Sequence, residues 1–168
     1  MSLANFIKRV QQIMRKDKGV GTNDVLILEQ LVWILFLFIY DSKEEEWELY
    51  DDNYVSIIPE SMRWQNWAID HKDGKALTGD DLLAFIDQEL LPTLKNLEID
   101  EHTERKKSIV KSIFEDSNNY MKNGIYFRQL VNLVNEMNFN EIQERHDFNH
   151  IYEELLRGLQ TAGNNGQY

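Results

Sequence analysis

Four sets of residues have the types and spacing to do chemistry. His146 and His150 lie four apart, so on a helix both would face one metal ion, with Glu153 or Glu154 beside them. The acidic run from Glu44 to Asp52 offers carboxylates to a divalent cation. Tyr54, Trp64 and Trp67 present faces on which bases could stack. Two groups of cations, Lys8, Arg9, Arg15 and Lys16, then Arg105, Lys106, Lys107 and Lys111, are the candidates for contact with DNA phosphates.

Each set also has a plainer reading. Glu144 and His146 do not form the Glu-x-x-His pair of a di-iron bundle, and no matching carboxylate helix is evident, so surface or partly packed histidines are expected and no metal site. The acidic run lacks the alternating oxygen ligands and mid-loop glycine of a calcium loop and reads as a solvated face. Basic residues do not interleave with the aromatics, which suits packing better than base stacking. The cations of the first helix, Lys18 included, suit the negative end of that helix's dipole and read first as a wet surface. No glycine-rich phosphate loop, Gly-x-Ser-x-Gly or Cys-x-x-Cys is present. No catalytic residue is therefore assigned.

Composition narrows the classes further. A formal charge of −11 over 168 residues opposes the counterion release that drives DNA binding, so any contact with the duplex must come from a local patch or through a partner. With no cysteine there is no disulfide framework, which fits a reducing, cytoplasmic setting. The first residues lack the apolar core of a secretory signal, and no segment is expected to anchor in a membrane.

The elements that must position these residues are helical. Val25 to Tyr40 contains only Glu29 and Gln30 as polar side chains, and Leu31 to Tyr40 is wholly apolar. A helix apolar on all sides must be buried on all sides. The pattern therefore predicts an all-α, multi-helix bundle around a central buried helix of about Asp24 to Tyr50, started by Thr22, Asn23 or Asp24. Leu3, Phe6, Ile7, Val10, Ile13 and Met14 mark an amphipathic first helix ended near Gly19 and Gly21. Thr78 with Asp81 predicts a capping box, Pro92 a kink or stop, and Thr103 the cap of the next helix. Asn123-Gly124 marks a turn before a further helix, and Asn140 the cap of a last one running to Leu159. Residues 1–161 are read as one helical domain and 162–168, AGNNGQY, as the start of a linker that looks cut.

Five blocks carry a family resemblance: IKRVQQIMRKDKGV, EQLVWILFLFIYDSKEEEWELYDDNY, IIPESMRWQNWA, FEDSNNYM and IYEELLRGLQTAGNNGQY. Together they resemble the N-terminal helical domain of the modification subunit of type I restriction-modification systems, the adenine-specific DNA methyltransferases of bacterial defence. The resemblance implies that the tail leads into a methyltransferase domain holding S-adenosylmethionine, with Gln167 and Tyr168 at the leading edge of the cofactor-binding segment. It implies a flipped adenine received by an Asn-Pro-Pro-Phe/Tyr loop that lies beyond Tyr168. The 168 residues alone are accordingly expected to be inactive and to bind no cofactor. The implied partners are a specificity subunit, a second modification subunit and a restriction (motor) subunit, with double-stranded DNA engaged through the complex. The alternative is a stand-alone acidic helical interaction module without catalysis.

Overall fold

The apolar run of the central helix has to be covered on every side, and the computed structural model shows what covers it. The structure describes residues 2–137, together with Glu153. Helix α1 is Leu3–Met14 and α2 is Asp24–Tyr50. A 3-10 turn, Glu60–Met62, leads into the short α3, Trp64–Trp67. Then come α4, Gly79–Phe85, a wider π turn, Ile86–Leu90, and α5, Leu91–Lys95, followed by α6, Arg105–Phe114, and α7, Gly124–Glu136. Among the described residues there is no strand. The all-α expectation holds, and the central helix has the predicted bounds.

Within α2, Leu31 and Trp33 to Leu37 are all buried. Trp33 reaches both α6 and α7, with ring centroids 6.2 Å from Phe114 and 6.0 Å from Phe127. Phe6, Val10 and Met14 of α1 and Leu130, Val131 and Val134 of α7 close the same core. Burial of each such side chain contributes roughly 1.5–3 kcal/mol. By length and composition alone α2 could cross a membrane, yet 67% of its most apolar window is buried among the other helices. That is the environment of a core helix.

Local signals explain most helix ends. Of the three predicted caps for α2, Asn23 does the capping, its Oδ1 accepting from the amides of Val25 at 3.0 Å and Leu26 at 3.2 Å. Asn123 caps α7 the same way, through Ile125 and Tyr126. Two expectations need correction and a third holds in part. Thr78 occupies the N-cap position of α4 but its side chain makes no capping bond, because Gly79 takes a left-handed φ of 57° and swings the first turn away. Thr103 turns back to Asp100 instead of capping α6, whose N-cap position is held by Glu104. Pro92 does not stop the helix, which runs on to Lys95, and the expected disturbance takes the form of the π turn immediately before it.

The connections are held by buried polar groups. Asp17, 1% exposed, accepts from the amides of Gly19, Lys122 and Asn123, tying the α1–α2 turn to the strand-like segment before α7. Gln30, fully buried in α2, donates to Asn119 at 2.9 Å and accepts from the Tyr120 amide at 2.7 Å. Trp33 Nε1 donates to the Asn118 carbonyl. The block SNNYMKN is thus fastened to the middle of the core helix by amides that the apolar pattern hides.

Candidate functional site

The first cationic group lies along α1. Arg9 pairs with Glu136 of α7 at 2.9 Å, and Lys16 stands 6.0 Å from the Tyr126 ring centre. Arg9 and Lys16, with Gln12, Ile13, Gln129, Asn132, Leu133 and Glu136, line a groove of about 310 Å³ between α1 and α7. Lys8 and Arg15 are exposed and make no ion pair among the described residues.

The second group, on α6, is largely occupied. Lys106 sits 4.7 Å from the Trp47 ring centre and 5.4 Å from that of Tyr54, and Lys107 sits 4.9 Å from Tyr54. Both also approach the Glu104 carboxylate, at 3.7 Å and 3.5 Å. Lys111 donates to the Leu97 carbonyl at 2.8 Å. Arg105 alone of the four is exposed without such a partner among the described residues. The structure therefore gives the eight cations unequal freedom: Lys8, Arg15 and Arg105 face water, while Lys106, Lys107 and Lys111 are committed to aromatic faces, a carboxylate or a carbonyl. Gln167, Tyr168, His146 and His150 lie outside the described residues. Among the described residues no three metal-ligating side chains converge.

Glu44, the first residue of the acidic run read as a solvated face, lies inside instead, in a charged cluster with Asp41 and Arg63. Asp41 and Glu44 of α2 are 7% and 0% exposed, and they flank Arg63, itself 6% exposed, at 3.9 Å and 3.7 Å. Arg63 also reaches Glu48 at 2.5 Å and Glu60 at 3.4 Å, and Glu44 accepts from the Tyr54 hydroxyl. Burial pushes the Asp41 carboxyl up to about 6 even though Arg63 opposes the shift. Burial and the neighbouring Glu44 raise Tyr40 and Tyr54 well above the ordinary phenol range. The signal for this cluster is the register: Leu37, Asp41 and Glu44 continue the inward stripe of α2 at spacings of four and three, and Glu48, four further on, is the exposed partner at its end.

The segment after α2 is fixed by a second buried cation. Arg128 of α7 is 8% exposed and donates to the Trp67 and Ala68 carbonyls at the end of α3, at 3.3 Å and 2.8 Å. Burial lowers its pKa from the usual arginine range. Asn135 joins the same Ala68 carbonyl and receives the Trp64 indole N–H at 2.8 Å. Arg63, through the carboxylates of α2, and Arg128 of α7, through the Trp67 and Ala68 carbonyls, thus hold IIPESMRWQNWA against the core. In this chain the cluster's work is positional; no catalytic group emerges from it.

What the geometry defines is an acidic all-α bundle with structural charge inside and no reaction centre among the described residues. No family model matches the chain. Along all 168 residues, however, it is 47% identical to the type I restriction enzyme EcoEI methylase subunit of Escherichia coli, covering 34% of that protein. A modification subunit assigned to a type I restriction enzyme of Vibrio vulnificus YJ016 superposes with a TM-score of 0.77 at 30% identity, over 98% of this chain and 36% of that one. A chain from a structural study of complex assembly and conformational transition in the type I restriction-modification system gives 0.68 at 32% identity, over 98% and 31%. The chain thus spans about a third of the length of the relatives it matches. The resemblance read from the five blocks is correct: over its whole length the chain is homologous to a helical portion of type I modification subunits.

Proposed function

We propose that these 168 residues serve as the N-terminal helical domain of a type I modification subunit, and that the parent chain is a site-specific adenine-N6 DNA methyltransferase using S-adenosylmethionine. In this reading the domain helps assemble the modification subunits with the specificity subunit and, with the restriction subunit, helps close the complex around double-stranded DNA in the cytoplasm. The observation that carries the reading is 47% identity over all 168 residues with a methylase subunit. A net charge of −11 makes a subunit contact the domain's main task and leaves phosphate contact to a few exposed cations such as Lys8, Arg15 and Arg105.

The test is reconstitution. The full parent subunit, combined with its specificity subunit, should transfer a labelled methyl group from S-adenosylmethionine to adenine in a duplex bearing the target. The 168-residue chain alone should transfer none and should bind bare duplex weakly. Methyl transfer to cytosine, or a tight, salt-sensitive complex of the isolated chain with DNA, would overturn the reading.

A further inference from the structure

The far end of α2 projects past the core and is built in a way that the domain itself does not use. Burial in α2 ends at Glu44. Leu49, Tyr50 and Val55 are 80%, 85% and 71% exposed, three large apolar side chains within one helix end and the turn after it. Singly exposed apolar residues are ordinary, but three held together are not. The tip is also fixed in place. Asp51 accepts from the Asn53 amide at 2.9 Å, its carbonyl accepts from Tyr54 at 3.1 Å, Trp47 packs on Tyr54 with ring centroids 5.8 Å apart, and Glu48 is tied to Arg63. A preformed tip gives up little entropy when it docks.

Its charge points to the partner. Glu45, Glu46, Asp51 and Asp52 lie beside the apolar trio along the chain, and the last turn of α2 contains no cation, although Lys106 and Lys107 of α6 stand at Trp47 and Tyr54. The C-terminal end of a helix is already its negative pole, so carboxylates there are unfavourable for the helix taken alone. Lys43 reaches Glu46 at 3.7 Å, but Glu45, Asp51 and Asp52 have no ion pair among the described residues. Such a surface repels nucleic acid, and it repels a second copy of itself.

We infer that the α2 tip, Leu49, Tyr50 and Val55 with the carboxylates of Glu45, Glu46, Asp51 and Asp52, is a docking surface for a basic protein surface with an apolar centre on the specificity subunit of the complex. The inference rests on the proposed role in subunit assembly. Apolar burial supplies the attraction, and cations on the partner relieve the carboxylates at the helix end.

The test uses the full parent subunit and its specificity subunit in two variants, one with Leu49→Ser and Val55→Ser, the other with Glu45→Lys and Asp52→Lys. All four positions are on the surface, so both variants should keep the parent's helical circular dichroism and melting temperature. Assembly followed by analytical ultracentrifugation should weaken about tenfold or more in each. The loss in the charge-reversed variant should shrink between roughly 0.1 M and 0.5 M salt, whereas the loss in the serine variant should persist. Assembly equal to the parent's in both variants overturns the inference alone. Failure of the unmodified subunit to assemble overturns the proposed function and this surface with it. Self-association of the parent that both variants abolish assigns the tip to a second copy and also overturns the inference.

Discussion

Gly19 lies so close under the backbone of Tyr120 that a Cβ built on it would stand 1.7 Å from the Tyr120 carbonyl oxygen. No conformational preference is at issue there, because Gly19 does not adopt a positive φ; the constraint is contact with backbone that cannot rotate away. Gly19→Ala should therefore cost about 2–4 kcal/mol, by forcing apart the α1–α2 turn and the segment before α7. Urea unfolding should show it, and Gly21→Ala gives the contrast. At Gly21 the space is open and only the left-handed φ of 60° is strained, so about 1–2 kcal/mol is expected. Equal losses at the two sites would remove the close-approach explanation.

Asp17 binds the same junction from the other side. Replacing it with alanine leaves the partly buried amides of Lys122 and Asn123 without their charged acceptor, for an expected loss of about 1–3 kcal/mol. Amide exchange at Lys122 and Asn123 should accelerate in the variant well before α2 becomes labile. A variant as stable as the parent would show that water replaces the carboxylate at no cost.

Asp41 should leave a pH signature opposite to that of an ordinary paired carboxylate. Its folded pKa of about 6 lies above the reference value of 3.8, so between these pH values the folded state holds more protons than the unfolded one. Stability from this group is therefore present below about pH 4 and is lost as pH rises through 6. The stability difference between the parent and Asp41→Asn should change by something on the order of 2 kcal/mol between pH 4 and pH 7, with the variant gaining on the parent as pH rises. A flat difference across that range would mean that Asp41 is solvated in the folded state.

The cations of α6 and α1 should separate by function. Lys106→Gln removes contacts with Trp47 and Tyr54 and should cost roughly 0.5–1 kcal/mol of stability. It should leave the salt dependence of DNA binding by the assembled complex unchanged. Arg15→Gln should leave stability unchanged, and if Arg15 meets a phosphate it should lower the slope of log affinity against log salt by about 1. The reverse pattern would move the phosphate-facing surface to α6.

The fold was legible wherever side-chain period decides it. Leu31 to Tyr40 announced a buried helix, Asn23 was one of three candidate caps for it, and Asn123, read as part of a turn, turns out to cap α7. Less legible was everything settled by contact between distant segments. Gly19 looked like a helix stop, and only the approach of Tyr120, a hundred positions on, shows why no side chain fits. Arg63 and Arg128 are buried through carboxylate and carbonyl partners that no local sequence pattern links to them. Thr78 and Thr103 had the right residue types for caps, but a glycine's φ and a nearby aspartate redirected them. For the candidate site, residue type located the cations, while their freedom depended on Trp47, Tyr54 and Glu104, which no spacing rule links to them.

The central helix also sets a problem of timing for the ribosome. Its apolar surface is complete once Tyr50 has been made, yet α7, which covers one flank and pins the turn before the helix, is finished only at Glu136. At roughly 5–20 residues per second the nascent chain carries that uncovered helix for several seconds at least. During translation, the stretch that later makes the fold secure is the segment most in need of a chaperone's shelter.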